Sequence, residues 1–329
     1  MNSQFPEPLL PRIVVSGSIA FDTLMTYRGS FPAVLAVENT SLAASFLVEH
    51  NGREPGGNGA NIAYTLALLG LEPVLVGAVG HDFQSREKEL KELGISTDGL
   101  MYAESVPTAH CVIATDLDNN QITLFSPAAM ALAQDASLGA FIAGPETLVV
   151  IAPDDVTAMV RHVEEAASLR ARVVFAPGQQ ITALDNDALV HCMHRSHIVV
   201  ANDHEWQRIE DRTGIASDAP SPSTLHVRTR GALGASIIEN DTVHEIAACT
   251  DVAVIDPTGA GDAFLAGLVT GFAHRLDAVE AAQLGTVAAA YALEHHGSQR
   301  HAFTPDGFAG RFRETFGSEC TIFTTMGER

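Results

Sequence analysis

Asp256-Pro257-Thr258-Gly259-Ala260-Gly261-Asp262 runs directly into the apolar pattern Ala263-Phe264-Leu265-Ala266-Gly267-Leu268-Val269. Two glycines flank a small residue where a loop becomes a helix. The free backbone N–H groups and the positive end of the helix dipole favour an anion at such a junction. Asp262 puts a carboxylate beside that anion site. A negative neighbour makes sense there if it handles a proton, with the loop neutralising charge on a phosphate. The competing reading is a tight turn with Asp262 as a helix cap.

Outward from this stretch, the chain has 329 residues, 46% hydrophobic and 18% charged, enough for one large α/β domain or two ordinary ones. A net charge of −21 argues against nucleic acid or an anionic membrane as partner. Only Lys88 and Lys91 are lysines, so an anionic phosphate would be balanced by backbone N–H groups and a divalent cation. Cys111, Cys192, Cys249 and Cys320 form no CxxC and read as reduced thiols. The start of the chain lacks a signal-peptide pattern, and no apolar run approaches ~18 residues. These features lead to the expectation of a cytoplasmic protein.

Short β-rich apolar runs alternate with helical periodicity, the signature of βαβ units. Buried strands are predicted at 13–16, 74–79, 148–151, 173–176, 198–201 and 225–229. Helices are predicted at 60–69, ending at Gly70, and at 156–169, 262–273 and 278–293. Residues 235–239 and 242–246 read as a hairpin turning at Asn240-Asp241. Two regions break the alternation. Residues 26–55 hold turn residues and a short apolar stretch without a helix. Residues 101–126 hold two strand-like runs, 110–115 and 121–125, around Asp116-Leu117-Asp118-Asn119-Asn120. They are expected to form a small β lid on a core of 1–25, 56–100 and 127–329, shielding a site from water. Ordinary edge hairpins are the alternative.

Other segments carry candidate chemistry. Gly56-Gly57-Asn58-Gly59-Ala60-Asn61 offers a hinge, close backbone approach and, at Asn61, an amide for substrate hydroxyls. A turn plus helix cap would use the same residues. Asp22 follows the first strand, where ligands of open parallel sheets bind, and could accept from two sugar hydroxyls. Asn202 and Glu205 end a strand with oxygen ligands suited to Mg²⁺ through water, or with a helix cap. Thr229 and Gly231 end another strand and could serve a nucleotide. His191, His194 and His197 are spaced by three but read as a solvated helix face. GxGxxG, GxxxxGK[ST] and GxSxG are all missing, so a dinucleotide fingerprint, a Walker A loop and a hydrolase elbow have no support.

In their order, these segments resemble the ribokinase-like (PfkB) carbohydrate and nucleoside kinase family over nearly the whole chain. Residues 56–61 resemble its N-terminal signature, 256–262 its C-terminal signature and Asn202…Glu205 its NxxE element. The resemblance implies a three-layer α/β/α core with a mainly parallel sheet and a β lid. It implies Asp262 as catalytic base, and Gly259, Ala260 and Gly261 as the anion hole. Glu205 and Asn202 would arrange the Mg²⁺ shell, holding the ion through water. Asn202, Thr229, Gly231, Gly259 and Gly261 would lie near ATP, flanked by 288–298. Asp22, Gly57 and Asn61 would hold the substrate. A monovalent cation such as K⁺ beside the Asp256 loop is allowed.

Many sugar kinases of the family carry lysine where this chain has Asn58. The segments 45–48, 120–125 with Ala129-Met130, and 289–294 look more like bacterial adenosine-kinase-type members. Phe46 in the lid could stack on a purine or merely pack the lid. The expected activity is transfer of the ATP γ-phosphoryl to a primary hydroxyl, with adenosine going to AMP. A kinase of free ribose or fructose and a non-catalytic sugar- or nucleoside-binding regulator are the alternatives. The expected partner is that small molecule alone, with the chain a monomer or a homodimer through the lid.

Overall fold

The computed structural model describes residues 10–35, 44–118, 120–219, 224–239 and 242–323. Its strands are β1 Ile13–Ser16, β2 Ala20–Tyr27, β3 Val48–Gly56, β4 Val74–Gly80, β5 Ser96–Ala103, β6 Ala109–Thr115, β7 Gln121–Ser126, β8 Leu148–Ile151, β9 Arg172–Phe175, β10 Ile198–Asn202, β11 Leu225–Thr229, β12 Ala235–Glu239 and β13 Thr242–Ile246. The α-helices are α1 Phe31–Leu35, α2 Asn58–Leu68, α3 Gln84–Glu92, α4 Val156–Ser168, α5 Asn186–His194, α6 Asp203–Thr213, α7 Ala260–Ala273, α8 Ala278–Leu293 and α9 Pro305–Phe316.

The large sheet runs β13-β12-β11-β10-β9-β8-β1-β4-β5. It is parallel from β11 to β5, with β12 and β13 antiparallel at one edge. Apolar residues along each central strand alternate between two cores. Ile13, Val15, Leu148 and Val150 face α2, α7 and α8, whereas Val14, Val149 and Ile151 face α4, α5 and α6. Helices therefore cover both faces, as a sheet of continuous apolar strands requires. The three-layer, mainly parallel core matches the expectation. In α7 every residue from Ala263 to Ala273 is buried, which fits a helix that is apolar all round. Its N-terminal end, from Gly261 to Leu265, reaches a cleft at the carboxyl edge of the parallel strands.

The small sheet runs β3-β2-β6-β7. β2 is antiparallel to β3 and parallel to β6, and β7 closes on β6. Its limits differ from those expected. β2 begins at Ala20, so 20–25 lie on the small sheet rather than in the core. Ala20 and Phe21 on that sheet are nonetheless as buried as core residues. Conversely, 101–103 finish β5, which pairs with β4 in the large sheet. The region 26–55, expected to lack a helix, contains the single turn α1. The predicted turn Asn240-Asp241 and Asn119 lie outside the described residues.

Candidate active site

Gly259 caps α7 at φ 80°, and a Cβ there would stand 2.6 Å from the Ser298 Cβ. Backbone geometry and packing both demand glycine. Gly261 differs: its φ is ordinary, it is exposed, and a Cβ would meet nothing within 4 Å. The space over Gly261 is free for a ligand. No side chain caps the first turn of α7, and although Ala260 N donates to the Pro257 carbonyl at 3.3 Å, the N–H groups of Gly261 and Asp262 are left for that space. Helix α2 contrasts with it. There the Ser18 hydroxyl accepts from Asn58 N at 3.0 Å, and the Ser18 carbonyl accepts from Gly59 N at 3.0 Å. One helix start is sealed by the protein and the other is open.

Asp262 sits in the open one. Its Oδ1 accepts from Asn58 Nδ2 at 2.9 Å and its Oδ2 from Asn61 Nδ2 at 2.8 Å. Burial raises the carboxyl to about 6, the two amides oppose that shift, and Glu205 adds to it. Its proton affinity thus suits acceptance of a proton near neutral pH.

Gly57 enters α2 at φ 91°, where a Cβ would press to 2.5 Å from the Ser18 carbonyl oxygen. This contact seats Asn58 and Asn61 under Asp262. Asn61 is buried, and its Oδ1 accepts from Ser298 Oγ and Gln299 Nε2, each at 2.8 Å. The amide expected to bridge substrate hydroxyls instead faces Asp262. Asn58 Oδ1 accepts from Gln179 Nε2 at 3.2 Å.

Asp262 and Gly261 line a cleft of about 140 Å³ together with Glu205, Asn202 and Thr229. Asn202 and Glu205 form a capping box on α6. Glu205 N donates to Asn202 Oδ1 at 2.9 Å, and Asn202 N donates to Glu205 Oε2 at 2.8 Å. Burial raises the Glu205 carboxyl despite these bonds. Among the described residues no three His, Cys, Asp or Glu side chains group closely enough to cage a metal. Glu205 is the carboxylate beside Asp262 in the cleft. Such a site suits Mg²⁺ held largely by phosphate and water. Asn202 fits less well as a direct ligand because its oxygen already caps α6.

Thr229 and Gly261 also line a neighbouring pocket of about 530 Å³, walled by Gly231, Val254, Ala290 and Leu293. The cleft that holds Asp262 and Glu205 thus adjoins a larger, mainly apolar pocket. Asp256 closes the turn before α7, accepting from Thr258 N and Gly297 N, each at 2.9 Å. Burial pushes against its ionisation, but these bonds hold it below the usual carboxylate range.

Asp22 lies on β2, against Gly56 of β3, whose Cβ would come 2.4 Å from Asp22 Oδ2. Burial first, and the charge of Asp256 second, raise Asp22 to about 6. Phe46 is placed elsewhere. It packs edge-on against Tyr27 and Phe31, with ring centroids 5.1 and 5.0 Å away. Tyr27 is five residues along β2 from Asp22, roughly 17 Å at strand rise. Phe46 therefore completes an aromatic cluster at the outer end of the small sheet. Ser18, Gln179 and Gln299 escaped the sequence reading, since none sits in a recognisable motif, and Ser298, expected only at the end of the segment flanking the nucleotide, bonds Asn61.

Residues 28–305 match the model of the pfkB family carbohydrate kinase. A nucleoside kinase of Methanothermobacter thermautotrophicus is 32% identical over 319 residues, spanning 94% of this chain and 98% of the relative. The structure of Burkholderia thailandensis nucleoside kinase in complex with inosine is similar at TM-score 0.84 and 34% identity, over 93% of this chain and 99% of that one. The same enzyme in complex with ADP-inosine gives 0.81 at 34% identity, over 93% and 97%. Methanocaldococcus jannaschii nucleoside kinase, an archaeal member of the ribokinase family, gives 0.81 at 26% identity, over 92% and 98%.

Proposed function

The chain belongs to the pfkB family of carbohydrate kinases, and from that premise we propose that it transfers the γ-phosphoryl of ATP to the 5′-hydroxyl of a purine nucleoside, with adenosine giving AMP and ADP. That it is a phosphotransferase for nucleosides or sugars follows from the family and its nucleoside-kinase relatives.

The observation that carries the chemistry is Asp262 at the uncapped start of α7, beside the open space at Gly261. A phosphoryl group over Gly261 meets N–H donors as its charge develops, and Asp262 accepts the proton of the attacking hydroxyl. The apolar pocket at Gly231, Val254 and Leu293 suits an adenine ring. Mg²⁺ bound with ATP would be held by Glu205 and water and would neutralise phosphate charge. Asp22 suits two adjacent ribose hydroxyls on the opposite side.

The small sheet favours a nucleoside over a free sugar. Glu54, Asp22, Cys111 and Phe125 form one cross-strand row and so share a face, with Leu24, Ile113 and Thr123 in the next row on that face, and Glu54 is paired with Arg300. Phe125 is 51% exposed. The apolar surface that Cys111, Phe125, Leu24 and Ile113 offer on the β6–β7 side of Asp22 suits a base. An ADP-release assay on adenosine, inosine, ribose and fructose tests this. Turnover on the sugars alone would replace the substrate assignment, and turnover on none would leave a binding protein.

A further inference from the structure

We infer that Gln299 is a positioning residue for the base, acting through Asn61 as the middle of a one-way chain of donors that runs from Arg86 to Asp262. The inference rests on the reading of Asp262 as base. An amide can face a neighbour with either end, so something must decide which end each presents. Here the two ends of the chain decide. A guanidinium only donates, and an ionised carboxylate only accepts.

Arg86 on α3 donates Nη2 to Gln299 Oε1. That leaves the Gln299 amide nitrogen facing inward, where Nε2 donates to Asn61 Oδ1 at 2.8 Å. Asn61 must then offer its nitrogen onward, and Nδ2 donates to Asp262 Oδ2 at 2.8 Å. Gln299 and Asn61 are both buried, so water does not substitute for these partners. The Arg86 side chain is 12% exposed and is also paired with Glu89. Ser298 Oγ lies against Asn61 Oδ1 as well, but a hydroxyl rotates and accepts as readily as it donates, so it sets no direction.

The chain has two effects. It holds the Asp262 carboxylate in one rotamer, and it places an N–H on the oxygen that would otherwise gain a proton. Other groups facing Asp262 do not reverse this. Asn58 donates to the second oxygen and accepts from the exposed Gln179 amide, and Glu205 on α6 is the ionisable neighbour, opposing ionisation. Arg86 and Glu89 compensate each other at the far end.

Gln299→Glu keeps the shape and reverses the logic. A carboxylate at 299 accepts from Arg86 with one oxygen and demands a donor from Asn61 with the other. Asn61 turns, its Oδ1 faces Asp262, and the base becomes easier to protonate. Profiles of kcat/KM for the nucleoside against pH, at saturating ATP, should show the acid limb moving up by about one pH unit or more. With the base at about 6 in wild type, that is about a threefold loss at pH 6.5, approaching about tenfold below pH 5 and recovering as the pH rises, while the KM for ATP stays put. Gln299→Met, which removes the donor without inverting it, should fall between wild type and Gln299→Glu.

A merely structural Gln299 would lower the melting temperature in both variants and leave the acid limb of the folded enzyme at its wild-type position, which would overturn the inference. Should Gln299→Glu not fold, Gln299→Met carries the same comparison, since an unmoved limb there also overturns it. Asp262→Asn run alongside separates the two levels. If it keeps turnover, the base reading itself fails. If it is inactive while both Gln299 variants keep the wild-type limb, only the donor chain fails.

Discussion

Replacing Asp262 by asparagine should cost activity and add stability, with the gain depending on pH in a defined direction. Asparagine copies the neutral acid in shape. In the folded protein burial carries the Asp262 carboxyl from 3.8 to about 6. The folded state thus binds a proton more tightly than the unfolded chain does. The stability tied to this group is fully present below pH 3.8 and is lost as the pH rises through 6. At pH 8 the ionised carboxylate would destabilise the fold by up to about 3 kcal/mol. Solvent at the mouth of the cleft reduces that to about 1–2 kcal/mol. The variant should therefore exceed wild type by about 1–2 kcal/mol in urea unfolding at pH 8, the difference shrinking toward zero near pH 4. In an ADP-release assay the same substitution should lower kcat by about 10²–10⁴, the worth of a positioned general base. A variant retaining a tenth of wild-type turnover would refute the base role. A stability difference equal at pH 8 and pH 4 would refute the account of its environment.

Three further outcomes follow from the same geometry. Because Asp22 and Asp262 are both raised to about 6, log kcat/KM should fall with a slope approaching two below pH 5. Asp22→Asn should reduce that slope to one, measured in the same ADP-release assay. Gly57→Ala should lose about 2 kcal/mol or more in urea unfolding, since it puts a Cβ at φ 91° against the Ser18 carbonyl. Gly261→Ala should melt at or slightly above the wild-type temperature, because alanine is the better helix former and its Cβ meets no protein atom. Its kcat/KM for ATP should nonetheless drop by about tenfold or more, and unchanged kinetics would show that nothing binds over Gly261.

The fold was largely legible because its central strands are buried on both faces. Such strands read as unbroken apolar runs, and β8, β11 and α8 begin and end where periodicity places them. Legibility failed where burial is partial. β3 reads Val-Glu-His-Asn-Gly-Arg-Glu-Pro-Gly, with most of its residues exposed or half-buried, so no alternation marks it. β5 carries an aspartate and a glycine, and it is held by pairing with β4 rather than by pattern. β2 shifts register between Leu24 and Met25, which interrupts any period-two signal. Phe46 shows the converse limit. An exposed-looking aromatic in a lid segment suggested a stacking platform, yet Tyr27 and Phe31 occupy its surroundings.

The site was legible as motifs but not as a circuit, and the reason is physical. A glycine-rich loop declares itself locally, because tight turns and close approach restrict which residues can stand there. A hydrogen bond between side chains declares nothing locally. Asn61 and Asp262 meet across 201 positions of sequence, and Gln299 and Asn61 across 238. No spacing rule connects them, and each amide alone reads equally well as cap, solvent contact or ligand. Direction adds a further layer. Whether Asn61 shows Asp262 an oxygen or a nitrogen is decided two residues away in space, by a guanidinium that touches neither. The substitution of asparagine for lysine at position 58 then gains a consequence. A lysine there would place a full positive charge by Asp262 and hold it ionised at lower pH, whereas two neutral amides leave burial in control and its proton affinity near neutrality. Asn58 and the raised carboxyl at Asp262 belong to one arrangement, in which burial lifts the carboxyl and the two framing amides offset only part of that rise.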